Sequence, residues 1–410
     1  MERIILHCDL NSFFASVECL FNPDLKNVPM AVAGNPKSRH GIILAKNELA
    51  KKYNVKTAET IWQAKLKCPD LVLVPPHHDK YYYYSQIVNG IYQKYTDLVE
   101  PFGIDESWLD VTGSTRIFGS GLEIAQKISN EVKEETGLTL SIGVSFNKVF
   151  AKLGSDYKKP DAITEISREN VEKIVYPLPV TDLLFVGRST LKHLDMLNIK
   201  TIGDLAKSNK EILKKLMGKQ GETIWNYANG IDEAPVLKFD EQEREKSVGN
   251  SITFTRNLCS EEEIKSGIMV LCDEVAMRLR MKGLKCQYVQ LGIKSEDLKT
   301  ITRRCKTDVP TNLAVDLYSF CINLFEKNWS YKTPVRLLSV TGGNLIDENS
   351  FVQEDLFYKI DSNKEKYENM EKSMDTIRKR FGNESVVYGS TLKNETIKTH
   401  SENEDEYDEN

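Results

Sequence analysis

Asp105 and Glu106 stand side by side in the segment Phe102-Gly-Ile-Asp-Glu-Ser-Trp-Leu-Asp110, which reads as the turn and second strand of a β-hairpin. A third carboxylate, Asp9, closes the apolar run Ile4-Ile-Leu-His-Cys-Asp9. A strand ending in Asp beside a hairpin tip carrying Asp-Glu can hold two divalent cations side by side. Such a pair clamps the attacking and leaving oxygens of phosphoryl or nucleotidyl transfer. Mg2+ takes hard oxygen ligands, usually one or two carboxylates plus substrate phosphates, so three acids are a suitable supply. Acids at turns and strand ends are also commonly just solvated. The flanking sequence has to decide.

Those flanks carry a resemblance. Asp9-Leu-Asn-Ser-Phe-Phe-Ala-Ser-Val-Glu18, Gly103-Ile-Asp-Glu-Ser-Trp-Leu-Asp110 and Ser141-Ile-Gly-Val-Ser-Phe-Asn-Lys-Val-Phe-Ala-Lys152 stand in the order and spacing of the Y-family DNA polymerases, the DinB/UmuC translesion enzymes. The chain resembles that family from residue 1 to about residue 347. The resemblance implies a template-directed DNA polymerase that adds dNTPs to a primer 3′-hydroxyl, with low fidelity, in translesion synthesis and DNA repair. It implies Asp9, Asp105 and Glu106 as catalytic residues and metal ligands, with the Leu10 carbonyl as a further oxygen. The cofactor is expected to be two Mg2+ ions, with Mn2+ as a substitute.

Other roles follow from the same resemblance. Phe14 matches the steric gate, an aromatic ring under the nucleotide sugar that leaves no room for a 2′-hydroxyl. Lys159, in Ser155-Asp-Tyr-Lys-Lys-Pro160, matches the lysine that contacts the triphosphate, where a compact point charge suits a phosphate. Phe185-Val-Gly-Arg-Ser-Thr-Leu-Lys-His-Leu194 resembles the thumb's helix-hairpin-helix, which offers backbone N–H groups to a DNA phosphate; Gly187 and Arg188 are its candidates. Lys246, Arg303, Arg304 and Arg336 are candidates for phosphate contact in the little finger. Gln353-Glu-Asp-Leu-Phe357 resembles the peptide by which bacterial polymerases dock on the sliding clamp, with Gln353, Leu356 and Phe357 as anchors. Tethering of this kind raises the effective concentration at the primer end.

Four positions depart from the pattern. Asn11 stands where DinB enzymes usually have Asp, and is read as structural. Glu48 and Lys51 stand where a Tyr and an Arg usually meet the triphosphate. Lys51 can serve a phosphate without the two-pronged grip of Arg; Glu48 cannot donate to one. Phe185 replaces one of the two usual hairpin glycines.

Composition is compatible with this reading. The 410 residues are 40% hydrophobic and carry a net charge of −5, which for the whole chain argues against a nucleic-acid binder. The distribution changes that. Residues 401–410 hold six acids and no Lys or Arg, and residues 231–245 hold six acids against two bases. Residues 246–347 hold fifteen bases against eleven acids. Local charge on a groove, not the total, governs phosphate binding. No apolar run approaches a membrane span and no signal peptide is evident, so a cytoplasmic protein without a membrane partner is expected. Eight cysteines with no C-x-x-C pair read as reduced thiols.

The elements that must position these residues follow from periodicity. Strands are expected at 4–9, 28–33, 71–74, 104–111 and 138–144, and helices at 12–20, 43–53, 60–67, from about 81, and at 121–136. Residues 167–232 read as helical throughout. Strands near 247–254, 286–295, 299–306 and 334–344 with helices near 261–281 and 312–328 make a second α+β module. A last helix over 366–381 would place Tyr367, Met370, Met374 and Ile377 on one face.

The resulting expectation is an α+β multidomain right-hand polymerase. Residues 1–20 and 76–166 form an antiparallel-sheet palm, 21–75 small fingers, 167–232 a helical thumb, 233–245 a linker, and 246–347 an α+β little finger. Residues 348–410 form a clamp-binding and acidic tail. Expected partners are primer–template DNA, a dNTP and the sliding clamp, with the chain a monomer. Two rival readings are a clamp-tethered, non-catalytic DNA-binding repair factor and a nucleotidyl cyclase on a related palm.

Overall fold

The structure is a computed structural model that describes residues 2–36, 41–241, 245–350 and 364–391. These fall into two compact units, one up to residue 241 and one from residue 245.

In the first unit β1 (Ile5–Leu10) leads into α1 (Phe13–Phe21). There follow β2 (Met30–Ala33), β3 (Ile43–Lys46), α2 (Glu48–Lys52), α3 (Ile61–Lys67), β4 (Val72–Val74) and α4 (His78–Gln93). The chain then makes β5 (Val99–Pro101), β6 (Glu106–Asp110), α5 (Thr115–Phe118), α6 (Gly121–Thr136), β7 (Leu140–Ser145), α7 (Lys148–Tyr157) and β8 (Ile163–Ile166). The main sheet has the order β5-β6-β1-β7-β8, antiparallel except for the parallel edge pair β7–β8. β1 lies at its centre and is buried on both faces.

Strand alternation sorts the two faces. Leu6, Cys8 and Leu10 join Leu109, Leu140, Ile142 and Val144 in a core closed by Tyr81, Val88 and Ile91 of α4 and Ile124, Ile128 and Val132 of α6. The Ser120–Glu123 capping box starts α6 and Gly137, at φ +71°, ends it. Ile5, His7 and Asp9 face the opposite way, towards α7. That helix lies very close to the sheet because two glycines meet. A Cβ on Gly143 would fall 1.8 Å from the Ala151 carbonyl oxygen, and one on Gly154 would fall 2.9 Å from the Gly143 Cα.

A second, three-stranded sheet, β3-β2-β4, has its own small core of Ile43, Ala50, Val55, Ile61 and Leu71. The helix expected over 43–53 is in part a strand. Ile43–Lys46 pairs with β2, and Asn47 then caps α2 by accepting from the Ala50 N–H at 2.9 Å. Asn47 also donates to the Leu25 and Val28 carbonyls, so a helix cannot begin earlier.

Beyond β8 the first unit ends in a helical part with α8 (Val171–Ile174), α9 (Arg188–Met196), α10 (Ile202–Lys207), α11 (Lys210–Met217) and α12 (Lys219–Ala228). Its core of Leu194, Ile202, Leu205, Leu213 and Ile224 is continuous with Val149, Phe150 and Leu153 of α7. The segment read as a linker is docked over its first part. Val236 is buried with Ile5, Trp108 and Ala151, and Lys148 donates to the Pro235 carbonyl.

In the second unit β9 (Ser247–Leu258), β10 (Leu284–Ser295), β11 (Thr300–Thr311) and β12 (Val335–Gly343) form a sheet of order β11-β10-β12-β9. The short β13 (Ile346–Asp347) adds to β10. α13 (Glu261–Met281) and α14 (Ala314–Asn328) cover one face around Val289, Leu291, Leu317 and Phe325. α15 (Lys364–Phe381) is present, and of the expected apolar face Met374 is buried while Met370 and Ile377 are 38% and 40% exposed. Glu371 and Arg378 turn inward with Met374. The reason is charge. Arg280 on α13 forks onto Asp375 at 2.6 and 2.9 Å and also pairs with Glu371, while Arg378 grips Asp273 at 2.6 and 3.0 Å. Buried charges left unpartnered cost more than two exposed apolar side chains, so the ion pairs set the helix rotation. No helix among the described residues is long and apolar enough to cross a membrane. The eight cysteines are free thiols.

Candidate active site

The register of β1 against β6 places Asp9 directly opposite Glu106 and His7 opposite Trp108. On the other side Asp9 faces Ser141 of β7. The hairpin turn before β6 is closed by the Phe102 and Gly103 N–H groups, both donating to the Glu106 carbonyl. The Leu10 N–H donates to the Asp105 carbonyl at 3.0 Å, which ties the hairpin tip to the end of β1 and sets Leu10 beside the acids.

Two acids facing each other across a strand pair repel. Here lysines from α7 and the turn after it offset that repulsion. Lys159 Nζ lies 2.6 Å from Asp9 Oδ2 and 2.7 Å from Asp156 Oδ1; Lys152 Nζ lies 2.5 Å from Glu106 Oε2. Burial raises the Asp9 carboxyl to about 6, with Lys159 pulling the other way. Burial also raises Asp105, reinforced by the charge on Glu106. For Glu106 burial acts upward too, but His7 and Lys152 outweigh it and hold the group at about 2. Asp9, Glu106 and His7 each bring a ligand atom within 4.8 Å of the others; the Asp105 carboxylate stands outside that group.

Phe14 is half-buried and lies flat on Tyr81, with ring centroids 4.0 Å apart and planes 11° from parallel. Tyr81 is fixed in turn by a hydrogen bond to the buried carboxylate of Glu18 at 2.5 Å, which His77 also approaches at 2.9 Å. The Asn11 amide lies within 2.9 Å of Ser141 Oγ and 3.2 Å of Thr139 Oγ1, so it braces β1 against β7. On α2, Lys51 Nζ is 2.5 Å from Glu48 Oε1, which also accepts from Ser12 Oγ at 3.2 Å. Tyr and Arg are thus replaced by an internal ion pair.

In the helical part after β8, Gly187 caps the nine-residue α9 that begins with Arg188. Phe185 keeps the left-handed backbone of the missing glycine, at φ +68°, with its ring 54% exposed. An open hollow of about 570 Å³ borders it, lined by Thr181, Leu183, Leu184, Val186, Gly187 and Gln220.

In the second unit the structure separates Arg303 from Arg304. Consecutive residues of a strand point to opposite faces. Arg304 lies opposite Gln290 on the open face, near the Tyr288 ring; Arg303 lies opposite Leu291 on the helix side and donates to Asn328 at 3.0 Å. Two consecutive arginines therefore cannot both serve the open face. Lys294 and Lys306 share it with Arg304, as their pairing with Thr300 and Tyr288 requires. Arg336 is half-buried at the bulge of β12, and Lys246 is exposed just before β9. Gln353, Leu356 and Phe357 lie outside the described residues.

Sequence reasoning singled out neither His7, Lys152 nor Tyr81. The signal for the first was present, since His7 is two residues from Asp9 and so on its face. Lys152 closes a motif already recognised, but its direction depends on α7.

Three family models match the chain. The impB/mucB/samB family covers residues 8–156, its C-terminal domain residues 245–356, and a thumb domain described for DNA polymerase-iota residues 181–232. DNA polymerase IV of Acetivibrio thermocellus is 46% identical over 96% of this chain and 98% of its own length. DNA polymerase IV 1 of Bacillus subtilis is 40% identical over 97% and 95%. Among solved structures, a Y-family DNA polymerase chimera aligns with a TM-score of 0.74 at 25% identity, over 84% of this chain and 99% of the other. The chain belongs to the impB/mucB/samB family, the Y-family DNA polymerases. Within it the similarity runs to the DinB type, since both relatives carry the name DNA polymerase IV. A nucleotidyl cyclase has no use for the matched thumb and C-terminal domains, and that rival reading falls away.

Proposed function

We propose that this chain is a DNA-directed DNA polymerase of the translesion type, with its metal centre built on Asp9, Asp105, Glu106 and the Leu10 carbonyl. One observation carries the reading: Asp9 and Glu106 are direct cross-strand partners, and each has a lysine ammonium against it. Two cations already stand on the two carboxylates. The donor set is hard oxygen, which suits two Mg2+ ions or Mn2+. When bound, such ions lower the pKa of a primer hydroxyl and stabilise charge on the transferring phosphoryl group.

The remaining roles belong to the chain's own residues. Phe14, held flat by Tyr81, excludes a 2′-hydroxyl. Lys159 exchanges Asp9 for the triphosphate of the incoming dNTP. Lys51 contributes less, because Glu48 competes for it. Gly187 and Arg188 receive a DNA phosphate at the start of α9, a contact that orders the duplex without reading sequence. Lys246, Arg304 and Arg336 grip the backbone of the primer–template, together with Lys294 and Lys306. Gln353, Leu356 and Phe357 dock on the sliding clamp. The enzyme acts as a monomer in the cytoplasm.

Primer extension with dNTPs and Mg2+ tests the reading. The wild type is expected to extend and to stop with EDTA, while Asp105→Ala combined with Glu106→Ala binds DNA without extending. DNA binding by the wild type with no extension would favour the non-catalytic repair factor.

A further inference from the structure

His7 is a wholly buried imidazole beside a carboxylate. It sits on β1, with its ring edge-on to Trp108 at 5.4 Å. Nδ1 is 2.8 Å from Ser155 Oγ of α7, and Nε2 is 3.2 Å from Glu106 Oε2. That second approach is out of hydrogen-bond alignment, so Nε2 has no hydrogen-bond partner among the described residues. A buried ring nitrogen this close to a carboxylate, yet without a hydrogen bond, calls for an account.

Proton counting supplies one. Ser155 has a single hydroxyl hydrogen, and its oxygen lies 2.8 Å from both His7 Nδ1 and the Lys152 carbonyl. If Ser155 donates to Lys152, Nδ1 must carry the ring proton, and the bare Nε2 lone pair faces the Glu106 anion. If Ser155 donates to Nδ1, Nε2 carries the proton on the side of Glu106, 3.2 Å away. Only the second arrangement turns an N–H rather than a lone pair towards the carboxylate, and burial magnifies that difference. A neutral imidazole suffices.

We propose that His7, set by Ser155, is the positioning residue that aims the Glu106 carboxylate. Lys152 also holds Glu106, but through a flexible stem and with a charge that any bound cation would repel. His7 is neutral, locked in the central strand and free of that conflict, so it can stay when Lys152 leaves. Its long, poorly aligned contact tightens once Glu106 is released from Lys152; loose geometry of this kind is usual before ligands bind. Histidine and hydroxyl partners of metal-binding carboxylates fix their direction, and losing one typically weakens metal binding about 10–100-fold. The inference rests on the reading of Glu106 as a ligand.

The test uses the full chain on a primer–template with a dideoxy end and a bound dNTP, so that no turnover occurs, and titrates Mn2+ by electron paramagnetic resonance. Four variants are compared: His7→Leu, His7→Gln, Ser155→Ala and Glu106→Ala. His7→Leu keeps the bulk without the donor and is expected to weaken Mn2+ about tenfold or more. His7→Gln returns an N–H near the Nε2 position and is expected to stay within about threefold of the wild type. Ser155→Ala frees the ring proton and should cost about fivefold, the worth of one hydrogen bond. All should bind DNA as the wild type does. Wild-type Mn2+ affinity in His7→Leu, with affinity lost in Glu106→Ala, would overturn the role of His7 and leave Glu106 a ligand. Equal losses in His7→Gln and His7→Leu would mean that the ring only packs, and would also overturn it. Wild-type affinity in Glu106→Ala would overturn the ligand reading and this inference with it. Should His7→Leu fail to fold, Ser155→Ala decides: an unchanged affinity there overturns the proposal.

Discussion

Phe13 and Phe14 are neighbours with opposite fates. Phe13 is buried in the core; Phe14 is only half-buried, packed against the edge of that core and stacked on Tyr81. If Phe14 sets sugar choice by bulk, Phe14→Val should raise the ratio of ribonucleotide to deoxynucleotide incorporation about tenfold or more, since pocket bulk discriminates on that scale. Single-turnover rates with the two nucleotides on one primer check it; an unchanged ratio would remove Phe14 from that role. That Asp9 and Glu106 come together, with Lys159 beside Asp9, was legible because each sits inside a motif whose spacing is fixed. His7, Lys152 and Tyr81 were not, because their parts depend on who faces them. The pairing of His7 with Ser155 spans 148 positions, and no local pattern records it. Arg303 and Arg304 show the reverse error: adjacent in sequence, they are a strand's thickness apart in the sheet.

At the scale of elements, α7 is the piece that brings Lys152 and Ser155 over the acids, and two glycines let it approach. Gly143→Ala would drive a methyl group into the Ala151 backbone carbonyl, where no flexible side chain can yield. It should destabilise the first unit by about 3 kcal/mol or more, measurable by denaturant unfolding; a loss under about 1 kcal/mol would mean that the helix rides higher than described. The capping box of α13 makes a pH-dependent contribution. The hydrogen bond from Arg256, aided by the Cys259 and Ser260 N–H groups, holds the Glu263 carboxyl down at about 2, against burial. A depressed carboxyl stabilises the fold above its unfolded pKa, and that gain is lost as pH falls through the folded value. Glu263→Gln should therefore cost about 1 kcal/mol at neutral pH and nothing by the acid end of the window between the ordinary carboxylate range and about 2. Thermal melts of both proteins across that range test it; a cost independent of pH would contradict it. Helices with strong caps, such as 121–136 and 261–281, could be read from sequence because the stop and start signals are local. The rotation of α15 could not, since it is set by Arg280 and Asp273 on a helix about ninety to one hundred residues earlier. An apolar stripe predicts the buried side of a helix only in part when that side is largely ionic.

For the whole molecule, a net charge of −5 coexists with a DNA-binding function because the acids are segregated. The open face of the second unit's sheet carries Lys294, Arg304 and Lys306. Arg304→Ala should weaken DNA binding about equally on all sequences and lower the salt slope of log Kd by about one, whereas Arg303→Ala, turned to the helix side, should leave the slope unchanged. Equal slopes for both variants would mean that the open face is not the DNA surface. The central claim, that the acids of β1 and the hairpin form a cation site now held by lysines, is tested most directly in the assembled enzyme. A crystal of the full chain with a dideoxy-terminated primer–template, a dNTP and Mn2+ would locate the cations by anomalous scattering. The account requires peaks among Asp9, Asp105 and Glu106, with Lys152 and Lys159 withdrawn from the carboxylates. Strong Mn2+ peaks elsewhere, with both lysines still on Asp9 and Glu106, would contradict it.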